Sequence, residues 1–259
     1  MASIKNIVFI GAGKVGTHLA EALFDAHIHI AGIYSQNKEN AYLLAQKYQS
    51  EWGDLASIKT HDTDLIIVSV PDNALKEVLK QIPQTNALIV HTSGSINMNA
   101  LDMFERTGIF YPLQTFSKDK KVDFSTIPLM IESHHQDDLV LLEELATLIT
   151  KKVYHINSYQ RKKIHIAAVF ANNFSNSLFL IAADLLAKEN IPFEVIQPLI
   201  AETADKLKEL HPYDAQTGPA LRNDQKTIEE HLNSLNETPE YQEIYKLLSQ
   251  QITQSRKTK

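Results

Sequence analysis

The sequence predicts an α/β protein, with a doubly wound, mainly parallel sheet in its N-terminal part and an all-α C-terminal domain. Up to residue 157, apolar β-rich runs alternate with helical patterns, an order typical of parallel strands covered by helices on both faces. From residue 158 onward nearly every segment has helical periodicity. The character of the chain changes there without a flexible linker. We therefore expect two domains, residues 1–157 and 158–259.

The individual elements follow from the apolar patterns and the turn residues between them. Strands are predicted within residues 7–10, 28–35, 64–71, 87–94, 108–111, 127–131 and 153–156, with a short further strand near 57–59. Helices are predicted from about Val15 and within 39–49, 73–81, 136–150, 158–189, 193–210, 221–235 and 239–254, with a break at 211–220.

The composition excludes several classes of function. The chain has 259 residues, of which 44% are hydrophobic and 22% charged, as in ordinary soluble globular proteins. Its formal net charge of −6 provides no basic surface for a polyanion, so nucleic acid is not an expected partner. The absence of cysteine excludes disulfides, thiol catalysis and thiolate metal sites. The 11 histidines match no ligand template, and no metal is predicted.

Location is inferred from the same sequence. No apolar run approaches the ~20 residues of a membrane span. The chain opens on a strand and a glycine loop rather than on a cleavable signal segment. We expect a cytoplasmic protein that does not bind a membrane.

The most specific motif is a glycine pattern directly after the first predicted strand. Gly11, Gly13 and Gly16 form GxGxxG between a buried strand and a helix, which is the context that a dinucleotide-binding, Rossmann-type domain requires. The free amides at the helix start would bind a pyrophosphate. The alternative is a glycine turn without a ligand. The predicted phosphate-binding residues are Gly11, Ala12, Gly13, Lys14, Val15 and Gly16.

The tip of the second strand indicates which dinucleotide binds. NAD-specific domains usually carry an acidic residue there, about 20 residues beyond the glycines. This chain has Ser35, Gln36 and Asn37 followed by Lys38, and such donors with a nearby cation suit a 2′-phosphate. NADP is therefore favoured, with NAD as the alternative cofactor. The same residues could also be simple turn residues that lead into a helix.

Two further strand ends should line the same crevice, because ligands bind beyond the carboxyl ends of parallel strands. One carries Val70 and Pro71, and the other carries His91 followed by Thr92, Ser93 and Gly94. His91 could bond the nicotinamide carboxamide or a substrate oxygen. Alternatively, it is a structural histidine satisfied by the backbone.

The long predicted helix carries a polar stripe. At ~100° per residue, His165, Asn172 and Asn176 project within roughly 40° of one another, with Arg161 nearby. These residues could meet a ligand, or could form buried hydrogen bonds between helices. His165 and Asn172 are the catalytic candidates, together with His91, and Asn176 is a candidate for substrate binding.

Polar loops supply the other substrate candidates. Gln216, Thr217 and Arg222 surround the break at Gly218, and Arg222 could clamp a carboxylate or phosphate. An ion pair between Arg222 and Asp224 is the competing explanation. Gln114 follows a predicted strand and is available to the same crevice.

Taken together, GAGKVG, VSVPDNAL, HTSGS, YPLQTF, HIAAVFANNF and QTGPALRND resemble a family of bacterial two-domain proteins with a Rossmann-like domain and a helical domain of unknown function. The family is similar to pyrroline-5-carboxylate reductase, deazaflavin-dependent NADP reductase and the 6-phosphogluconate and β-hydroxyacid dehydrogenases. The resemblance implies an NAD(P)-dependent oxidoreductase with its active site between the domains. The catalytic Lys and Asn pair of the β-hydroxyacid dehydrogenases is absent, since Ile166 lies four residues after Lys162.

The resulting hypothesis is an NADP-dependent reductase or dehydrogenase that acts on a small polar carbonyl, imine or hydroxy compound. The alternative is a non-catalytic dinucleotide-binding regulator or sensor. The apolar stretch 164–186 also predicts a homodimer built through the helical domain.

Overall fold

The computed structural model describes residues 3–117 and 120–257 of the chain, with side chains described up to residue 255. The chain divides into two compact units, and the first ends at Asn172 while the second begins at Asn173. This division falls inside the long predicted helix. The boundary at residue 157, which rests on the change in local pattern, stays a prediction.

The first unit is built on one eight-stranded sheet in the order β3-β2-β1-β4-β5-β6-β7-β8. Neighbouring strands are parallel except β6 and β7, which are antiparallel. The prediction of a mainly parallel, doubly wound sheet is confirmed. The strands are β1 (Asn6–Ile10), β2 (His29–Tyr34), β3 (Glu51–Gly53), β4 (Leu65–Val68), β5 (Leu88–His91), β6 (Thr107–Pro112), β7 (Leu129–Ser133) and β8 (Val153–His155).

Helices cover both faces of this sheet, and a hydrophobic core lies on each side of it. The central strands β1, β4 and β5 are buried almost throughout, which explains why they have continuous apolar runs rather than alternating patterns. The helices of this unit are α1 (Lys14–Asp25), α2 (Lys38–Tyr48), α3 (Asp72–Leu79), α4 (Gln136–Thr147) and α5 (Ser158–Ala168).

A π-helical segment, Val169–Phe174, follows α5 and leads into the second unit. In its described residues that unit contains helices and no strands, which confirms the predicted all-α C-terminal part. Its helices are α6 (Ser175–Lys188), α7 (Gln197–Asp205), α8 (Pro212–Ala215), α9 (Pro219–Arg222), α10 (Gln225–Ser234) and α11 (Pro239–Lys257). Short 3₁₀ turns lie at Leu55–Ser57, Met98–Leu101, Phe124–Thr126, Phe193–Val195 and Lys206–Lys208.

Several predicted boundaries are wrong for local reasons. The short strand expected near residues 57–59 lies instead at Glu51–Gly53, because Leu55–Ser57 closes a 3₁₀ turn. The helix expected from residue 221 begins at Gln225. Asn223 takes a left-handed conformation with φ of 57°, and the Asp224 side chain then caps the next helix by accepting from the Thr227 amide.

The apolar character of the long helix was underestimated from the sequence. In the described part of the chain, Ser158–Lys188 is long and apolar enough to cross a membrane by length and composition alone, with a mean hydropathy of 1.4 in its most apolar window. Polar residues such as Asn172 and Asn176 interrupt every continuous apolar run, which is why the sequence pattern missed it. The absence of a membrane partner stays a prediction.

Candidate functional site

The glycine loop between β1 and α1 is held close against the neighbouring strand end. Gly11 has φ of +104°, a left-handed conformation that favours glycine, and its amide donates to the Tyr34 carbonyl at 2.7 Å. A Cβ atom at this position would collide with the Ser69 carbonyl. A Cβ at Gly16 would similarly meet the Gly11 carbonyl. Both glycines therefore permit the tight packing that the motif predicts.

Gly13 occupies a different environment, because nothing lies within 4 Å of the position that a Cβ atom would take. It is the N-cap of α1, and no side chain caps this helix. Uncapped amides at a helix start are unsatisfied donors and attract anions. The space next to Gly13 is thus an open cradle that a side chain would fill, and its donors fit a pyrophosphate.

This cradle opens into a cavity of about 800 Å³, which lies within the range of small-molecule sites. The cavity brings together four segments that are distant in sequence, because the carboxyl ends of parallel strands share one edge of the sheet. Of the predicted cofactor residues, it is lined by Gly11, Ala12, Gly13, Ser35, Gln36, Asn37, Val70 and Pro71. Lys14, Val15, Gly16 and the segment from His91 to Gly94 are not among its lining residues.

A carboxylate that the sequence did not reveal also lines this cavity. Asp54 follows β3, and its Oδ2 atom lies 2.7 Å from the Lys38 ammonium group. The hydrogen bond from Lys38 is the main reason that the pKa of Asp54 lies below its ordinary value. The second-strand tip therefore carries an ion pair rather than a free lysine.

His91, at the end of β5, is fully buried. Its Nδ1 atom accepts a hydrogen bond from the Ser93 amide at 3.1 Å, so the proton of the neutral ring lies on Nε2. Among the described residues Nε2 has no hydrogen-bond partner. Burial lowers the pKa of His91 from 6.5 to about 4, and the charge of Arg161 acts in the same direction. The complete burial of the ring and its bond from the Ser93 amide favour the structural role over ligand contact.

The buried His91 should make folding depend on pH. Because its folded pKa lies below its unfolded one, the stabilisation is complete above pH 6.5 and is lost as pH falls towards 4. We expect a loss of about 2 to 3 kcal/mol of unfolding free energy from this group. His91→Asn keeps an acceptor for the Ser93 amide but does not titrate. Urea unfolding at both ends of this window should show a flatter pH dependence for the variant, and parallel curves would contradict the assignment.

Arg161, near the start of α5, is fully buried, and each of its three guanidinium nitrogens has a hydrogen-bond partner. Its guanidinium donates to the Ser93 carbonyl at 3.1 Å and to the Ile96 carbonyl at 2.5 Å. It also donates to Glu132 on β7 at 2.5 Å. Arg161 thus fastens α5 to the loop after β5, and its guanidinium is not available to a substrate.

The loop after β5 also contacts Tyr111 and His165 through Gly94. The Tyr111 hydroxyl at the end of β6 lies 3.2 Å from Nδ1 of His165 on α5. A Cβ atom at Gly94 would lie 2.6 Å from that Nδ1 and 2.7 Å from the hydroxyl, so only glycine permits this approach. Burial raises the pKa of Tyr111, and the hydroxyl stays protonated. In the described structure, Nε2 of His165 makes no hydrogen bond and is the ring nitrogen left for a ligand.

Sequence reasoning missed the contact of Tyr111 with His165. The residue lies in the YPLQTF segment, in which Gln114 was predicted to bind substrate instead. Gln114 is exposed, and its side-chain oxygen accepts from the amide of the next residue, Thr115, at 2.8 Å. The available signal was the position of Tyr111 at the end of a predicted strand, where ligand contacts concentrate.

The polar stripe on the long helix needs correction. Asn172 and Asn176 are exposed, so neither is a buried amide that requires a partner. Asn172 lies in the π-helical segment, whose wider turn shifts later positions around the axis by about one residue's angle. The uniform rotation that placed both asparagines on the face of His165 does not apply there. Their contact with a substrate stays a prediction.

The remaining substrate candidates belong to the second unit. The Gln216 side chain donates to the carbonyl of Thr217 at 2.8 Å, and Arg222 is exposed at the end of α9. Asp224 caps α10, and the ion pairs of the described residues do not include one between Arg222 and Asp224. A group of three or more residues suited to holding a metal ion is also absent from residues 3–117 and 120–257.

Two family models match the chain, and together they cover most of it. Residues 3–115 match the family described as a Rossmann-like domain. Residues 127–252 match the family described as Domain of unknown function (DUF2520). No curated protein matches the chain.

Solved structures provide relatives along the whole chain. A Bacteroides fragilis protein described as a "putative NADP oxidoreductase" is 44% identical, with a TM-score of 0.91 over 97% of this chain and 98% of its own. A Thermotoga maritima protein is 24% identical, with a TM-score of 0.73 and coverage of 97% and 99%. An imine reductase from Myxococcus stipitatus, solved with NADP⁺, is 14% identical, with a TM-score of 0.68 and coverage of 98% and 94%. The latter two share the fold. The chain belongs to the family of two-domain proteins that combine a Rossmann-like domain with DUF2520.

Proposed function

We propose that this chain is an NADP-dependent oxidoreductase that acts on a small polar carbonyl, imine or hydroxy compound. The observation that carries this proposal is the open cradle at Gly13, where uncapped helix amides face a cavity of about 800 Å³. A structural glycine turn would pack against its surroundings, as Gly11 and Gly16 do. The space at Gly13 suits a pyrophosphate instead.

The rest of the cavity supports a phosphorylated dinucleotide. Ser35, Gln36, Asn37 and Lys38 line its far end and offer hydroxyl, amide and ammonium donors. The Bacteroides fragilis relative is described as a "putative NADP oxidoreductase", and the imine reductase of the same fold was solved with NADP⁺. Bound NADP(H) would supply or accept the hydride, while the residues of this chain would orient the substrate and manage the proton.

The pair of Tyr111 and His165 is suited to that proton transfer. In the reductive direction, protonated His165 would donate its Nε2 proton to the substrate oxygen or nitrogen. Nδ1 keeps its proton and donates a hydrogen bond to the Tyr111 hydroxyl oxygen, 3.2 Å away. The oxidative direction reverses these steps. Because its pKa is raised by burial, Tyr111 remains a neutral hydroxyl that either donates to Nδ1 or accepts from it.

Asn172 would orient the substrate, as its position in a π-helical segment suggests, since such segments are frequent at functional sites. Asn176, Gln114, Gln216, Thr217 and Arg222 remain candidates for substrate binding. We place the reaction beside His165 and Tyr111, and the protein in the cytoplasm.

A turnover screen tests the proposal. The purified chain is incubated with NADPH or NADP⁺ and pooled metabolites that contain carbonyl, imine and hydroxy compounds, and cofactor absorbance is followed. Cofactor consumption by one pool, and its dependence on His165, would support an oxidoreductase. Binding of NADPH without turnover in any pool would favour the alternative, a dinucleotide-binding regulator or sensor.

The helical part is proposed to form a homodimer. Leu180 on α6 and Leu199 on α7 keep 59% and 67% of their surface exposed, and Leu178 and Val195 are also exposed. Soluble proteins rarely leave such apolar surface uncovered, and a second copy of the chain would cover it. Light scattering should give twice the subunit mass. Leu180→Glu should shift the protein towards monomer, whereas Leu148→Glu on the first unit, exposed to 55%, should not. A monomeric wild type, or recovery in the membrane fraction, would contradict the dimer.

A further inference from the structure

We propose that Asp54 sets the preference of the site between phosphorylated and unphosphorylated dinucleotides, by holding Lys38 until a 2′-phosphate replaces the carboxylate. The inference rests on the proposed function, because it concerns the far end of the same cavity. Lys38 alone would favour NADP, as the sequence suggested. The structure adds an acidic partner that a 2′-phosphate has to displace.

The position of Asp54 is fixed by the neighbouring strands. The Ser35 amide donates to the Gly53 carbonyl at 3.1 Å, which joins the residue before Asp54 to the end of β2. The hydroxyl and the amide of Ser57 both donate to the Asp54 carbonyl, at 2.9 and 3.2 Å. The turn after β3 is therefore part of the second-strand tip. Its carboxylate reaches the same cavity as Ser35 and Lys38.

The ion pair is close but exposed. Nζ of Lys38 lies 2.7 Å from Asp54, and the two side chains keep 62% and 35% of their surface accessible. Exposed pairs of this kind are weak, since water and salt screen them. A phosphate monoester near neutral pH carries nearly two negative charges and three acceptor oxygens. It can therefore compete with a single carboxylate for the lysine.

The displacement has opposite consequences for the two dinucleotides. NADP(H) has to separate Lys38 from Asp54 and then keeps its phosphate next to the released carboxylate, so part of its affinity is lost. NAD(H) carries no phosphate there and leaves the pair intact. Asp54 thus lowers NADP(H) affinity without changing NAD(H) affinity. A residue that instead accepts hydrogen bonds from the ribose hydroxyls, as acidic residues in NAD-specific domains do, would strengthen the binding of NAD(H).

Calorimetric titrations with NADPH, NADH, 2′,5′-ADP and 5′-ADP separate these roles without requiring a substrate. The variants are Asp54→Asn, Lys38→Gln and the double variant. The matched control is Glu51→Gln, which removes a carboxylate from β3 that pairs with Lys59 at 2.9 Å and does not line the cavity. Glu51 and Asp54 are three positions apart, so a general change in local charge should affect both variants alike.

Asp54→Asn is expected to increase the affinity for NADPH and 2′,5′-ADP about threefold to fivefold, the range of an exposed ion pair. The affinity for NADH and 5′-ADP should not change. Lys38→Gln should weaken the phosphorylated ligands, and the gain from Asp54→Asn should shrink in its background. Glu51→Gln should change the affinity neither for the ligands that carry a 2′-phosphate nor for those that lack it. The proposal is overturned if Asp54→Asn weakens NADH binding. It is also overturned if the gain in NADPH affinity persists fully in the Lys38→Gln background, or if Glu51→Gln produces the same gain. A wild-type chain that binds none of the four ligands would instead refute the proposed function.

Discussion

His165→Asn is expected to slow turnover by about 10²- to 10⁴-fold, the usual contribution of general acid–base assistance, while NADPH affinity stays nearly unchanged. The ring of His165 lies against Tyr111 and Gly94, whereas the predicted pyrophosphate site belongs to the glycine loop. Asparagine retains polarity but cannot exchange a proton. Steady-state kinetics on the identified substrate, combined with NADPH titration, measures the two effects separately.

Two variants serve as controls for this result. Tyr111→Phe keeps the aromatic ring and removes only the hydroxyl that contacts Nδ1, so a smaller loss, about 2- to 10-fold, is expected for one hydrogen bond. His91→Asn should retain turnover, because the buried His91 ring accepts a hydrogen bond from the Ser93 amide and asparagine also offers an acceptor there. Full turnover in His165→Asn together with its loss in His91→Asn would place the chemistry at the end of β5 instead.

Gly13→Val is expected to weaken NADPH binding about 100-fold or more. The added side chain would fill the space that no protein atom occupies within 4 Å and would displace the pyrophosphate from the helix amides. Loss of two hydrogen bonds to charged groups, at about 1.5–3 kcal/mol each, accounts for this magnitude. Calorimetric titration of the variant with NADPH provides the measurement.

The fold should tolerate this substitution. Gly13 has φ of −82° and ψ of −175°, an extended conformation open to any residue, and an apolar N-cap costs about 1 kcal/mol. Gly11→Val provides the contrast, since its φ of +104° and the nearby Ser69 carbonyl leave no room for a side chain, and it should fold poorly. A folded Gly13→Val protein with undiminished NADPH affinity would remove the phosphate cradle from the account.

The parts of the site that could be predicted from sequence are those that follow from strand order. The glycine motif stands beside a continuous apolar strand, and parallel topology then brings the ends of β1, β2 and β4 to one edge. The cavity lined by Gly13, Ser35 and Val70 follows from that rule. Local residue types and their position after a strand were sufficient for this prediction.

Contacts between distant segments could not be predicted in this way. Asp54 reaches the second-strand tip from the turn after an edge strand of three residues, too short to leave a clear pattern. The contact between Tyr111 and His165 joins a strand end to a helix, 54 positions apart. Nothing in the sequence distinguishes Arg161 and His91 from exposed polar residues, but both are fully buried. The π-helical segment has no periodic signal, and it altered the predicted stripe.

A crystal structure of the chain with bound NADPH would show directly whether the glycine loop holds the dinucleotide. We expect the pyrophosphate against the amides at the start of α1, beside Gly13. The 2′-phosphate should lie within hydrogen-bond distance of Lys38, with the lysine separated from Asp54. The nicotinamide ring should lie against the loop of Ser93 and Gly94, with its reactive carbon facing the substrate space beside Nε2 of His165. A dinucleotide bound away from the glycine loop would rule out the phosphate cradle at Gly13, and a nicotinamide remote from His165 would rule out His165 as the proton donor.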